Sequence, residues 1–270
     1  MNELNEASRI LGIQTENTSW ARPLRTGART RCVVATQPQT SHRFTDTYPQ
    51  VVVKLYKGDG TTKGSKAYQQ YHQTHFKQLP ALTNNRLIQQ SIEGGIMPGI
   101  GPYAVVQYIE GRELSVALED GTINRHIAGV VLKDILDEIW RPLWNASLRF
   151  KDCHPGNFIL TPAGRTIMID TEQMRKDVQE YLTNRSVWTQ RTQHEISGLK
   201  RLPALLQRII LAANPAVAKS PLLREIKQLL AKTDLDNTFR QLGRQNTSSQ
   251  AAEDSTESLL SSLNEKGLIT

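Results

Sequence analysis

The sequence predicts an α+β fold in two lobes: a small antiparallel sheet with one helix, then a mainly helical half. Three observations carry this. Val51-Val52-Val53-Lys54-Leu55-Tyr56 is a β-branched run of strand length. Ile127, Val131, Ile135, Ile139 and Leu143 recur every four residues, as a buried helix demands. Between two short apolar segments, Thr161-Pro162-Ala163-Gly164-Arg165 reads as the turn of a hairpin that interrupts the helical half.

In the first half, a short stretch around Trp20, then Arg31–Thr36 and Val51–Tyr56, read as three strands. Over 62–79, Tyr68, Tyr71, His75 and Leu79 fall near one helical face, and Pro80 stops the run. Arg86–Glu93 and Tyr103–Ile109 read as two more strands around the turn Gly94–Pro102. After Glu110-Gly111-Arg112-Glu113 the pattern turns helical, and further helices are expected at about 195–212 and 220–242. Residues 245–270 hold many Ser, Thr, Asn and Gln, with four acids against one lysine, and are expected to be a disordered tail. The expected divisions are an N-terminal extension over 1–18, a first lobe over 19–109, a helical lobe over 110–244 and the tail.

Composition bounds the function classes. A chain of 270 residues with 38% apolar and 22% charged residues suits one enzyme-sized globular unit. No run approaches the ~18 apolar residues of a membrane span, and Met1-Asn2-Glu3-Leu4-Asn5-Glu6 lacks the order of a secretory signal, so a cytoplasmic location is expected. Cys32 and Cys153 fit neither a disulfide scaffold nor a zinc site. A net charge of +7 suits nucleotide phosphates, acidic proteins or nucleic acid alike. No aromatic interleaving or helix-turn-helix pattern supports nucleic acid, and none is expected as a partner.

The chemistry concentrates in Lys151-Asp152-Cys153-His154-Pro155-Gly156-Asn157-Phe158, followed through the hairpin by Ile169-Asp170-Thr171-Glu172. An acid, an amide five residues later at a strand start and a second acid after the returning strand would converge on one side of the hairpin. Such oxygen donors suit Mg²⁺ on a nucleotide. Taken alone, Asp152, Pro155, Gly156 and Asn157 also make an ordinary turn.

This stretch resembles the catalytic loop and metal-binding segment of the protein-kinase-like superfamily, in the Asp-x-His-Pro-Gly-Asn form of aminoglycoside and choline kinases. The resemblance covers about 19–175, with strong motifs at 148–172. It implies a bilobal kinase-like fold, ATP and Mg²⁺ as cofactors, Asp152 as the residue that orients or deprotonates the acceptor hydroxyl, and Asn157 and Asp170 as metal ligands. It further implies Lys54 as the phosphate-binding lysine, Val106 as the residue beside adenine, and the Gln107 carbonyl and Ile109 amide as adenine's partners, with Glu113 or Ser115 near the ribose. In Leu24-Arg25-Thr26-Gly27-Ala28-Arg29-Thr30-Arg31, Gly27 stands where such kinases carry a glycine-rich loop.

Several positions depart from that pattern. No acid occurs from Thr61 to Gln78 to pair with Lys54, Phe150 replaces a common histidine, and Thr171-Glu172 replaces Phe-Gly. No Ala-Pro-Glu segment follows, so no phosphorylated activation segment is expected, and any switching would come from a partner protein. The chain in this respect resembles compact bacterial effector kinases, which implies a protein Ser/Thr acceptor and delivery into a host cell. A small-molecule kinase and a pseudokinase scaffold are the alternatives. Residues 195–235 hold few acids, Glu195, Glu225 and Asp234, to line a cationic acceptor pocket, which favours protein. His154 is expected to bond locally, not to act as a base.

Overall fold

The computed structural model describes residues 30–36, 48, 50–56, 85–97, 100–145, 148–150, 153–171, 174–176, 201–232 and 250–270. The fold class is α+β. Described residues up to Tyr56 together with 89–109 belong to one compact unit, and 85–88 with those from Glu110 onward to a second. The expected strand near Trp20, the expected helix over 62–79, Gly27 and Asp152 lie outside the described residues.

The first unit is an antiparallel sheet of β1 (Thr30–Thr36), β2 (Gln50–Tyr56), β3 (Ser91–Met97) and β4 (Gly101–Gln107), in the order β1-β2-β4-β3. Successive side chains of a strand point to opposite faces. Val51, Val53 and Leu55 therefore pack with Met97, Tyr103 and Val105 on one face, while Val52 and Tyr56 pack with Ala104 and Val106 on the other. Six consecutive buried residues in β2 follow from this two-sided covering.

The fourth expected strand, Arg86–Glu93, and its turn, Gly94–Pro102, need correction. The strand is displaced toward the C-terminus, and Gly94 to Met97 lie within β3. Gly95 stands opposite Tyr103, and a Cβ there would come within 2.9 Å of the Tyr103 ring. The glycine thus admits a cross-strand tyrosine, whose hydroxyl donates to the Glu93 carboxylate. β4 likewise starts at Gly101 and ends at Gln107, before the expected Ile109.

The second unit opens with β5 (Arg112–Glu113), α1 (Leu114–Glu119) and α2 (Arg125–Lys133). The Asn124 side chain accepts from the Ile127 N–H at 2.9 Å and caps α2. α2 runs directly into a π-helix, Asp134–Trp140, then α3 (Arg141–Asn145). The π-helix accounts for the strict four-residue spacing. On an α-helix each step of four overshoots a turn by ~40°, so four steps would carry the stripe ~160° around the axis. A wider turn takes up that drift, and Val131, Ile135 and Ile139 are all fully buried.

β6 (Leu148–Phe150) pairs with β9 (Met174–Lys176), and β7 (Phe158–Leu160) pairs with β8 (Thr166–Met168) and β5. The helical half thus carries two small antiparallel sheets. α4 (Arg201–Ala213) and α5 (Leu222–Lys232) follow, joined by a 3₁₀ turn, Pro215–Lys219.

The expected disordered tail is corrected over its described part. Gln250–Glu265 forms α6, with Leu259 and Leu263 one turn apart and buried. Gly267 ends it in the left-handed region at φ 65°, with Gly267 N–H donating to the Asn264 carbonyl (2.8 Å) and Leu268 N–H to Leu263 (3.0 Å). Leu268 and Ile269 then bury themselves, and Asn214 Nδ2 donates to the Leu268 carbonyl at 2.8 Å. Polar composition described the outer face of this helix and obscured its apolar one.

Candidate active site

The hairpin expected between Asn157 and Asp170 is present, with Phe158 opposite Met168 and Leu160 opposite Thr166. His154 opens the preceding 3₁₀ turn, Pro155–Asn157. Its Nδ1 accepts from the Gly156 N–H at 3.1 Å, and its carbonyl accepts from Asn157 N–H at 3.0 Å. Proline at the first turn position presets the backbone. His154 is therefore a cap, and its Nδ1 lone pair is engaged with the backbone.

Asn157 is 4% exposed and sits at the mouth of the hairpin. Its carbonyl accepts from Ile169 N–H at 2.8 Å, so the residue before Asp170 is locked across from Asn157. Asp170 then takes φ 58°, the one left-handed non-glycine residue among those described. Aspartate tolerates this region better than most residues, and such conformations cluster at functional sites where the surroundings enforce them. The following Thr171 is buried. The structure thus brings Asn157 and Asp170 to one end of one hairpin.

Two long-range anchors hold that hairpin. Asp134, 3% exposed at the start of the π-helix, accepts from Arg165 Nε at 3.0 Å and from Thr166 N–H at 2.7 Å. Hydrogen bonding by Asp134 raises the Arg165 guanidinium above its ordinary value. Further along the same outer edge of β8, Met168 N–H donates to the Leu87 carbonyl at 2.8 Å, and Ile88 bridges to Met168 in parallel sense. Neither anchor was expected from sequence. An acid beside the buried stripe at Ile135 was the available signal for Asp134, and the strand expected over Arg86–Glu93 carried no sign that residues 87 and 88 would meet Met168.

Gly111 serves the same region. At φ 149° it brings the chain so close to β7 that a Cβ would lie 2.4 Å from the Leu160 carbonyl oxygen. β5 can then pair with β7 immediately after it.

In the first unit, Lys54 is opposite Ala104 in the register and Val52 opposite Val106. The alternation places Lys54, Ala104 and Val106 on one sheet face, beside half-buried Tyr108. Lys54 is only 7% exposed, a setting that a lysine occupies when its ammonium is hydrogen-bonded or paired. The Gln107 carbonyl accepts from Gln89 Nε2 at 2.8 Å. Gln107 N–H donates to the Gln90 carbonyl at 2.9 Å, and Ile109 is half-buried. Glu113 accepts from the Ser115 hydroxyl at 3.0 Å, so these two polar groups are already partnered with each other.

No group of three or more His, Cys, Asp or Glu side chains that could hold a metal occurs among the described residues. No helix among them is long and apolar enough to cross a membrane. Compared with models of known protein families and with curated proteins, the chain matches none.

Proposed function

We propose that this chain is an ATP- and Mg²⁺-dependent phosphotransferase of protein-kinase-like architecture, acting on a serine or threonine hydroxyl of a protein. The observation that carries the reading is the β7–β8 hairpin, with buried Asn157 at its entry and left-handed Asp170 at its exit. An amide and a carboxylate are hard oxygen donors, and Mg²⁺ commonly uses one or two carboxylates with substrate phosphates in place of an all-protein cage. Two donors on a fixed hairpin therefore fit a metal carried by a nucleotide.

ATP would supply the phosphoryl group, and Mg²⁺ would offset the negative charge of its phosphates. Asn157 and Asp170 would hold the metal. Asp152 would orient the acceptor hydroxyl and take its proton as the new oxygen–phosphorus bond forms and ADP leaves. Lys54, on the face it shares with Ala104 and Val106, would offset phosphate charge. Val106, the Gln107 carbonyl and the Ile109 amide would bind adenine, and Gly27 would lie over the phosphates. Loss of Phe-Gly after Asp170 favours an enzyme without a phosphorylated switch segment, active as made or set by a partner protein.

Transfer of label from γ-³²P-ATP with Mg²⁺, using wild type, Asp170→Ala and Asn157→Ala against protein lysate and small-molecule panels, tests the reading. Labelled protein bands that fall ~10²-fold or more in both variants are expected. A labelled metabolite instead would make the chain a small-molecule kinase. Nucleotide binding with no label above the variants would make it a scaffold.

A further inference from the structure

Resting on the phosphotransferase reading, we infer that Asn85 and Asp134 are positioning residues, which complete the open edge of β8 and so hold Asp170 where it can bind a metal.

The backbone of β8 shows why an edge needs completing. In a strand, alternate N–H groups point to opposite sides. Ile169 N–H turns inward to the Asn157 carbonyl, whereas Met168 N–H turns the other way, to Leu87 (2.8 Å). Thr166 N–H, two residues earlier on that same outer edge, meets no strand either, and the Asp134 carboxylate accepts it at 2.7 Å. A carboxylate and a carbonyl from outside the hairpin thus stand in for a further strand. Three-residue strands pair weakly by themselves.

Asn85 sets the second of these partners. Its Oδ1 accepts from Leu87 N–H at 3.0 Å, shaping the turn that aims the Leu87 carbonyl at Met168. Its Nδ2 donates to the Glu138 carbonyl at 2.7 Å, on the π-helix. A π-helix displaces carbonyls from the usual pattern, and one of them here receives a side chain from 53 positions away. Asp134 and Glu138 are both in the π-helix, so one irregular helical segment carries both anchors of β8. Asp170 lies two residues beyond Met168, at φ 58°, a conformation that persists only where neighbours enforce it.

The test uses the full chain as Asn85→Ala and Asp134→Asn, with two readouts. The first is amide hydrogen exchange at Met168–Thr171, referenced to Val131 and Leu132 in α2, and it requires no activity. The second is Mn²⁺ affinity in the presence of a non-hydrolysable ATP analogue. We expect exchange at 168–171 to accelerate ~10-fold relative to the reference helix, and Mn²⁺ affinity to fall ~10-fold, as when a group supporting a metal ligand is removed. Exchange that rises equally throughout the unit would overturn the inference, as would unchanged Mn²⁺ affinity in variants whose exchange at 168–171 has risen. If wild type binds no Mn²⁺ with the analogue, the phosphotransferase reading fails, while the exchange data still decide whether the edge is braced.

Discussion

Asp134 and Arg165 lie 31 positions apart in the chain, and the Arg165 guanidinium closes on both oxygens of the Asp134 carboxylate, with Nε at 3.0 and 3.1 Å and Nη2 at 2.9 Å. The carboxylate is buried and the guanidinium is half exposed. That asymmetry makes the two single truncations unequal. Arg165→Ala strips a buried carboxylate of its cation, leaving it the Thr166 N–H. Asp134→Ala frees an arginine that can hydrate but orphans that buried N–H. Each is expected to cost about 1–3 kcal/mol, and the double variant less than their sum because both act through one carboxylate. Urea denaturation of the four proteins measures this, and strict additivity would show the pair to be energetically idle.

Gly111→Ala is expected to destabilise by about 2 kcal/mol or more, because a Cβ would collide with backbone at Leu160 as well as strain φ at 149°. Backbone cannot swing aside as a long side chain can. A melting temperature within one degree of wild type would contradict the close approach of β5 to β7.

Two glycines near the C-terminus separate strain from crowding. At Gly267, φ 65° with open space around it, alanine should cost only about 1 kcal/mol. At Gly129, in a helix where alanine is otherwise favoured, a Cβ would lie 2.5 Å from the Thr270 carbonyl oxygen. Gly129→Ala should therefore displace the last residues, detected as faster amide exchange at Leu268 and Ile269. Leu263→Ala, at a fully buried position of α6, should cost about 2–5 kcal/mol. A cost below ~0.5 kcal/mol there would indicate that α6 does not pack on this unit.

One acid-sensitive contact is exposed. Asp120 accepts from the Thr122 hydroxyl and from Thr122 N–H (3.0 Å), and ion-pairs with Arg112. Those Thr122 hydrogen bonds, followed by the Arg112 charge, hold its carboxyl below the ordinary 3.8. A depressed folded-state value means that the contribution is present above pH 3.8 and lost as pH falls through the folded value. The stability difference between wild type and Asp120→Asn should therefore be larger at pH 6 than at pH 3. A difference that grows on acidification would reverse the sign.

The hairpin was legible in the sequence because its turn, its two short apolar arms and its polar flanks are contiguous. β2 was legible for the same reason, whereas the face that Lys54 shares with Val106 follows only from the β2–β4 register. The shift of β3 was hidden, since Gly94-Gly95 looks like a turn until Tyr103 is seen to need the space across the sheet. The helical identity of 250–265 was hidden by polar composition, although Leu259, Leu263, Gly267 and Leu268 form a stripe and a C-terminal cap when read together.

By itself the sequence determined what depends on neighbours along the chain: strand alternation, the four-residue apolar stripe, a turn at Pro155, and the order in which Lys54, Asn157 and Asp170 occur. Tertiary structure decided what depends on partners 31 to 115 positions away: Asp134 on Arg165, Asn85 on Glu138, Asn214 on Leu268, Arg141 on Thr256. The physical reason is that periodicity reports which face of an element is apolar, whereas a buried N–H or carboxylate is satisfied by whichever group folding delivers to it. The left-handed backbone of Asp170 belongs to the second kind, for its cost is local and what sustains it is not.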